Sequence, residues 1–381
     1  MSRVRPVPLP PLGDAVSPIV PVLPGESPGR IRRIIEEAVD RVGLRLRGLR
    51  ILTEAGSGAY ALTPAIAIAA GAEEVMAISR DSPYGAAADN LAAATFAAGL
   101  FDGADRLTRV LSRPDRAEIA RADIITNLGF VRPIDAEMLA HARSTAAVPL
   151  MCEAWEWREG DVDLAACRRR GIPVLGTNED ADELRVFDFC GPLAGRLLFD
   201  AGFEIWRCAV VVFSPDRFGV VIARWLRRAG AQVHLTHELR SPASLGALKS
   251  ADVLLVADYA RRSPIVGETG ELDAAELAAL APAIAVLQFA GALDAARLAE
   301  ANIPVYPSPP VGPVRMARTL AHLGPRPVVD LHAAGLKVGE LACRARLAGL
   351  SGGEVEAKLV MSSGLAQAVT PSSPSEPSHD R

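Results

Sequence analysis

The sequence predicts an α/β protein in which two doubly wound parallel-sheet domains face each other across a cleft. The length of 381 residues is sufficient for two domains. Half of the residues are hydrophobic and only 5% are aromatic, a composition typical of alanine-rich helices packed on sheets. Short apolar runs alternate with helical stretches in two successive sets, which is the pattern of parallel sheets covered by helices.

The first set begins after a proline-rich segment. Residues 1–27 lack periodicity, and we expect a disordered arm there. A helix is predicted from about Arg30, because apolar residues recur on one face of that segment. Buried parallel strands are predicted around residues 50–52, 75–78 and 124–126, with alanine-rich helices between them.

The second set has the βαβαβ cadence of an open sheet. A helix over about 186–201 leads into five predicted strands, at 209–213, 232–236, 253–256, 285–288 and 304–306. A last helix is predicted over 333–347. The tail 351–381 is rich in serine and proline, and we expect it to be disordered.

These elements divide the chain into two Rossmann-like domains. The first, substrate-type domain comprises residues 28–184 plus 331–350, and the second, nucleotide-binding-type domain comprises 185–330. Ligands of open α/β sheets bind beyond the carboxyl ends of the strands. We therefore expect a small-molecule ligand in the cleft between the domains.

Charge and cysteine content exclude several other functions. The net charge of −4 and the absence of a basic run argue against a nucleic-acid partner. The five cysteines form no C-x-x-C pair, which argues against a disulfide framework and a zinc site, and no metal is expected. No apolar run has transmembrane length, and the N-terminus is not a signal peptide. The sequence thus predicts a cytoplasmic protein without a membrane partner.

Three motifs, in a fixed order, resemble those of a known family. They are D-V-D-L-A-A-C-R-R-R-G-I-P-V-L-G-T-N-E at 161–179, A-D-V-L-L-V-A at 251–257 and D-L-H-A-A-G-L-K-V-G-E at 330–340. Together they resemble the D-isomer-specific 2-hydroxyacid dehydrogenases over about residues 110–350. The resemblance implies an oxidoreductase with NAD or NADP as cofactor, a small polar substrate and a possible homodimer.

The resemblance also implies a catalytic residue. The family's general acid/base histidine aligns with His332, and an imidazole titrates near neutral pH. The family's substrate-binding arginine, however, aligns with Ala290, which cannot form a bidentate pair with a carboxylate. Residues 311–329 contain no acidic partner for the histidine. These departures imply a substrate other than an ordinary 2-hydroxy acid, or a changed chemistry.

The predicted nucleotide turn departs from its pattern as well. The strand-to-helix turn that reads G-x-G-x-x-G in dinucleotide-binding folds has Ser214, Asp216 and Gly219 at the three glycine positions. Asp216 would bring a negative charge next to phosphates, whereas Arg217 could compensate for it. We predict that Asp216→Gly strengthens binding of NAD(H) or NADP(H).

The end of the next strand should carry the acidic residue that binds the ribose hydroxyls. His237 stands at that position, with Glu238 beside it. Glu238 could substitute, although it is displaced by one residue. Both are therefore candidate cofactor-binding residues.

The first domain has a glycine turn of its own. Residues 53–60 read T-E-A-G-S-G-A-Y and follow a predicted strand. Gly56 and Gly58 resemble the E-x-G-x-G turn of S-adenosylmethionine-dependent methyltransferases, where glycines let an adenosyl group approach the backbone. A tight turn without any ligand is the alternative.

Further polar residues follow strands or lie at the predicted domain crossover. Asn127 and Arg132 follow a strand and are expected to face the cleft. Glu153 and Arg158 flank a run with two tryptophans, E-A-W-E-W-R. If that run is extended, alternation places Glu153, Trp155 and Trp157 on one side, as an aromatic wall beside a polar ligand. Packing at the hinge is the alternative.

Three functional hypotheses remain open. The first is an NAD(P)-binding oxidoreductase-like protein with altered catalytic residues. The second is an S-adenosylmethionine-dependent methyltransferase that uses the Gly56 and Gly58 turn. The third is a non-catalytic nucleotide-binding relative.

Overall fold

The computed structural model describes residues 24–370. Most of the predicted disordered arm, and the end of the predicted disordered tail, lie outside the described residues. The described strands are β1 (Arg50–Glu54), β2 (Glu74–Ser79), β3 (Leu107–Leu111), β4 (Ile124–Ile125), β5 (Val148–Pro149), β6 (Val174–Thr177), β7 (Ala209–Phe213), β8 (Gln232–Thr236), β9 (Val253–Ala257), β10 (Ala285–Ala290), β11 (Val305–Tyr306) and β12 (Ala366–Ala368).

Thirteen α-helices lie between and after these strands in the described part of the chain. They are α1 (Pro28–Arg41), α2 (Thr63–Ala69), α3 (Ala87–Ala98), α4 (Arg116–Arg121), α5 (Ala136–His141), α6 (Leu164–Arg170), α7 (Cys190–Asp200), α8 (Arg217–Arg228), α9 (Pro242–Leu248), α10 (Ala274–Leu280), α11 (Ala295–Glu300), α12 (Pro325–Leu347) and α13 (Gly352–Ser362). None of the described helices is both long enough and apolar enough to cross a lipid bilayer.

The first domain is built on a parallel sheet with strand order β3-β2-β1-β4. A backbone bridge from Ile124 to Ala147 continues this order toward β5, which pairs with β6 in parallel. After β1 the chain adds β2 and β3 on one side of that strand and then crosses over to add β4 on the other side. This reversal creates a switch point between the carboxyl ends of β1 and β4. Strands β1 and β2 are almost wholly buried because helices cover both faces of the sheet, whereas only one residue of the edge strand β3 is buried.

The second domain contains a separate parallel sheet with order β11-β10-β9-β7-β8. Its switch point lies between the carboxyl ends of β7 and β9. All five residues of β9, which are apolar, and all six of β10, which include Gln288, are buried. Both domains are thus doubly wound α/β units, which confirms the predicted fold class.

The last helices return to the first domain. Helix α12 begins at Pro325, earlier than the predicted start at residue 333, because proline is well suited to the first helical position. Its buried residues join the core that contains Ile34 and Ile35 of α1. Gly339 lies so close to β4 that an added Cβ would be 2.9 Å from Ile124.

The prediction of a disordered tail from residue 351 is wrong for the part that the structure describes. Ser351 caps α13 in a reciprocal arrangement with Glu354, and Val355 and Leu359 are buried. Strand β12 then pairs antiparallel with β6. The serine-rich composition concealed a capping motif and two apolar residues one helical turn apart.

Candidate active site between the two domains

The turn between β7 and α8 has the compact shape of a nucleotide-binding turn. Gly219 packs against the strand so closely that a Cβ there would be 2.6 Å from the Cβ of Ser214. The backbone N–H of Gly219 donates to Ser214 Oγ at 3.0 Å. The N–H of Phe218 donates to Asp216 Oδ1 at 2.9 Å, and Ser214 Oγ donates to the same oxygen at 2.9 Å.

Asp216 therefore caps the 12-residue helix α8 with its own carboxylate. Backbone N–H groups at a helix N-terminus suit an anion, and the carboxylate of Asp216 occupies the place of one. Asp258, which follows β9 and is 6% exposed, adds a second acid at this switch point. Burial raises the pKa of both Asp216 and Asp258. A pyrophosphate would fit the donors of this turn only after displacing Asp216.

The predicted ribose-binding residues lie at the end of β8. His237 and Glu238 are both exposed, and neither side chain forms a hydrogen bond within residues 24–370. The backbone of Glu238 is held by Thr236, whose Oγ1 accepts the N–H of Glu238 at 3.0 Å. Both side chains are thus free to meet a ligand.

Arg217, the first residue of α8, reaches across to the first domain. Its guanidinium forms ion pairs with Glu153 and with Asp180. The same guanidinium stacks on the ring of Phe187, with 4.0 Å between Cζ and the ring centroid. Arg217 therefore joins the domains, rather than standing free for a phosphate.

A second set of contacts crosses the interface beside Arg217. Arg158 Nη2 donates to Tyr259 Oη at 3.1 Å and to the carbonyl oxygen of Val314 at 3.3 Å. The ring of Trp155 meets that of Tyr259 edge-on, with centroids 5.1 Å apart. The segment is not extended, since residues 154–156 form a 3₁₀ helix, so the condition for placing Glu153, Trp155 and Trp157 on one side is not met. The contacts of Trp155 and Arg158 with Tyr259 agree with the alternative of packing at the hinge.

Three glutamates surround this interface. Glu153, which is 2% exposed, accepts the backbone N–H of Glu179 at 3.2 Å. Glu156 in turn accepts the backbone N–H of Glu153 at 3.2 Å. Burial raises the pKa of Glu156 to about 7, and burial with the nearby glutamates raises that of Glu179 well above its usual range.

These groups were only partly predictable. Glu153, Arg158 and Arg217 were candidates and lie together. Glu156 and Tyr259 were not candidates, although Glu156 stands within the tryptophan run and Tyr259 stands two residues after the end of a buried strand. The cluster can bind a polar ligand, and Glu156 can exchange a proton near neutral pH.

His332 lies elsewhere. It belongs to the second turn of α12, is 2% exposed, and its Nδ1 lies 2.6 Å from Thr63 Oγ1. Burial lowers the pKa of His332 to about 3. An enclosed imidazole with so low a pKa is neutral at pH 7, and the acid/base role of His332 stays a prediction.

Residue 290, the position that aligns with the family's arginine, is enclosed by the protein. Ala290 is fully buried, and its backbone bridges to Met316. The chain at Val311 covers the end of β10, where its N–H donates to Gln288 Oε1 at 2.7 Å. This part of the cleft thus presents no guanidinium at residue 290.

The space at the glycine turn of the first domain is occupied by side chains of the same domain. Glu54, which is 6% exposed, accepts the backbone N–H of Phe130 at 2.9 Å, and burial raises the pKa of Glu54. A Cβ on Gly56 would be 2.7 Å from that of Tyr60, so Gly56 is needed for packing. Gly58 has φ +59° and open space around it. It borders a groove of about 240 Å³ that reaches the start of α12.

Asn127 and Arg132 are held by contacts within the first domain. Asn127 is 7% exposed, and its Oδ1 accepts the N–H of Met151 at 2.7 Å. Arg132 pairs with Asp161. The structure therefore gives both residues local structural contacts, and it does not bring them to Arg217.

Comparison with known proteins gives structural similarity alone. No protein-family model and no curated protein sequence matches the chain. A dipicolinate synthase from Bacillus halodurans is similar in structure, with 14% identity, a TM-score of 0.49 and coverage of 78% of this chain and 99% of that chain. Pyruvate reductase of Chlamydomonas reinhardtii has 15% identity, a TM-score of 0.43 and coverage of 81% and 99%.

D-lactate dehydrogenase from Escherichia coli is also similar, with 12% identity, a TM-score of 0.38 and coverage of 80% of this chain and 98% of that chain. A reductase and a dehydrogenase are thus among the similar structures. The likeness concerns the course of the chain. The chemistry of this chain is argued from its own side chains.

Proposed function

We propose that the chain is an NAD(P)-binding oxidoreductase that acts on a small polar molecule between its two domains. One observation carries the proposal. The strand–turn–helix unit at the switch point of the second sheet keeps Gly219 in close packing and directs Arg217 to a buried acidic cluster of the first domain.

The residues of this turn have distinct parts in the proposal. The backbone N–H groups of Phe218 and Gly219 would hold the pyrophosphate once Asp216 has rotated away, and His237 and Glu238 would lie near the ribose. When bound, a nicotinamide cofactor supplies the hydride donor or acceptor. With His332 enclosed, Glu156 is the cleft residue that would hold the substrate proton.

The test is titration calorimetry of NADH and NADPH against the wild type and Asp216→Ser. Serine retains an N-cap but removes the charge that competes with a phosphate. We expect affinity to increase at least about tenfold, which corresponds to about 1.4 kcal/mol. Asp216→Gly should act in the same direction.

Asp273→Ser is the matched control, because Asp273 caps α10 in the same way. It should leave the affinity unchanged. Equal affinities of the wild type and Asp216→Ser would contradict the role of Asp216, and the absence of binding to either protein would reject the cofactor.

A second candidate is an adenosyl ligand in the first domain, as in a methyltransferase. It is favoured by the open space at Gly58, which lies in the turn after β1 at the other switch point. A rise of the melting temperature with S-adenosylmethionine, lost in Gly58→Val, would support it. No rise would leave Gly58 as a turn residue.

A further inference from the structure

The C-terminal strand β12 reaches the segment that contacts the second domain. In the antiparallel pair of β12 and β6, Gln367 stands directly opposite Gly176. Side chains that stand opposite each other in such a pair lie on the same face of the sheet. Gly176 has no side chain, and a Cβ there would lie 2.6 Å from the backbone nitrogen of Ala154. The backbone of Ala154 therefore packs directly on β6, within reach of Gln367.

The side-chain amide of Gln367 joins two segments of the first domain. Its Oε1 accepts the backbone N–H of Ala154 at 2.9 Å, and its Nε2 donates to Asn178 Oδ1 at 3.4 Å. Asn178 is itself held by the C-terminal segment, since its backbone N–H donates to the carbonyl oxygen of Leu365 at 2.8 Å. One side chain thus uses both its acceptor and its donor to link residue 154 to residue 178.

These two segments carry the acids that bind Arg217. Glu153 directly precedes Ala154, and Asp180 stands two residues after Asn178. Asn178 Oδ1 also accepts the backbone N–H of Asp180 at 3.2 Å. Arg217 of the second domain pairs with both carboxylates, one from each segment. The fit of its guanidinium between the two acids therefore depends on how the two segments are held together.

We propose that Gln367 is a positioning residue of the cleft, which holds the segments of Glu153 and Asp180 at the spacing that Arg217 bridges. Both hydrogen bonds of its amide are to first-domain residues. Gln367 thus acts through Glu153 and Asp180, and the C-terminal strand governs a contact between the domains in which it takes no direct part. The value of this spacing for a ligand rests on the proposed function, whereas the contact with Arg217 is defined by the side chains of the chain alone.

Tyr259 is a reporter of this contact in the second domain. The ring of Trp155, the residue after Ala154, meets the ring of Tyr259 edge-on, with centroids 5.1 Å apart. A tryptophan ring at this distance changes the chemical shifts of the tyrosine ring protons. The chain has four tyrosines, so labelling of tyrosine gives a simple NMR spectrum. A change confined to the first domain would leave the Tyr259 signal in place.

The test is NMR of the full chain with labelled tyrosine, without any added cofactor. Gln367→Met has a similar volume but forms neither hydrogen bond. We expect it to move the Tyr259 signal toward the position found in Trp155→Leu, which lacks the indole ring. Arg217→Met should move the signal in the same direction. Combining Gln367→Met with Arg217→Met should move it no further, because both changes act on one contact.

Two further variants separate the two hydrogen bonds and control for the substitution itself. Gln367→Glu retains an oxygen for the Ala154 N–H but offers Asn178 no donor, so its shift should be smaller than that of Gln367→Met. Gln232→Met is the matched control, since Gln232 is exposed at the start of β8 in the second domain. It should leave the Tyr259 signal at the wild-type position.

An unmoved Tyr259 signal in Gln367→Met would overturn the positioning role. A further full shift when Gln367→Met is added to Arg217→Met would also overturn it, because the two residues would then act independently. If Gln367→Met does not fold, Gln367→Glu serves, and an unmoved signal there would overturn the role as well. Calorimetric binding of a dinucleotide is a separate measurement, so either proposal can fail alone.

Discussion

The two strand–turn–helix units of this protein each carry a carboxylate near the carboxyl end of the strand, and the two carboxylates make different contacts. In the first domain Glu54 ends the strand and accepts an N–H from the loop after the neighbouring strand. In the second domain Asp216 belongs to the turn and accepts an N–H from the helix that it caps. Glu54 thus links the ends of two neighbouring strands across the switch point, whereas Asp216 caps only its own helix.

This difference teaches that an acidic residue at a switch point can be either part of the core or a removable occupant of a ligand site. Glu54 is surrounded by first-domain backbone, and its loss leaves an enclosed N–H without an acceptor. Asp216 can be replaced by any small cap. The glycine-turn pattern of the sequence does not distinguish the two cases.

The largest expected effect is that of Glu54→Ala. It removes the acceptor of the Phe130 N–H and leaves a buried donor unpaired, which costs about 1–3 kcal/mol of unfolding free energy. Chemical denaturation monitored by circular dichroism measures this.

Glu54→Gln is the matched control, because its amide oxygen still accepts and its side chain carries no charge. Since burial raises the pKa of Glu54, the charged form is disfavoured, and the glutamine variant should match or exceed wild-type stability at high pH. A loss as large as that of the alanine variant would contradict our account of Glu54.

The second prediction compares a glycine from each of the two turns. Gly219→Ala places a Cβ 2.6 Å from that of Ser214, and such overpacking costs about 1–3 kcal/mol. Gly58→Ala meets open space, so it is opposed only by its φ of +59°, at about 1–2 kcal/mol. Thermal unfolding of both variants measures the order, and a larger loss for Gly58→Ala would reverse it.

The smallest expected effect concerns the protonation of His332. With a pKa lowered to about 3 by burial, His332 should show no change of imidazole chemical shift near neutral pH. The lowered pKa stabilises the fold above pH 6.5, the ordinary value of the group, and this contribution declines as pH falls toward about 3. NMR of histidine-labelled protein measures the chemical shift of the His332 ring. A midpoint near neutrality for His332 would restore it as an acid/base candidate.

The sequence predicted the fold class and most strands because apolar runs such as those of β7 and β9 are continuous and are buried on both faces of the sheet. Strands Ala209–Phe213 and Gln232–Thr236 have the predicted bounds. It could not predict the first domain's strand order, since order depends on which helices cross which face. The sequence did not lead to a prediction of α13, because the serine-rich composition of that segment concealed the capping pair of Ser351 and Glu354.

The site was less predictable, for a physical reason. Asp216 was singled out by the broken glycine pattern, but that it caps its own helix follows only from geometry. The resemblance led to His332, whereas burial decides its pKa. Glu153 and Asp180 stand apart in sequence, and only folding brings both to Arg217.

The return of α12 to the first domain has a consequence for synthesis on the ribosome. The second domain is encoded without interruption, so it can complete its sheet as soon as β11 has emerged. The first domain must wait for α12, whose residues fill its core, although most of that domain is translated earlier. During synthesis the second domain is therefore complete while the first domain, which precedes it in the chain, still lacks α12. Truncation before residue 325 would leave the first domain with an exposed apolar face.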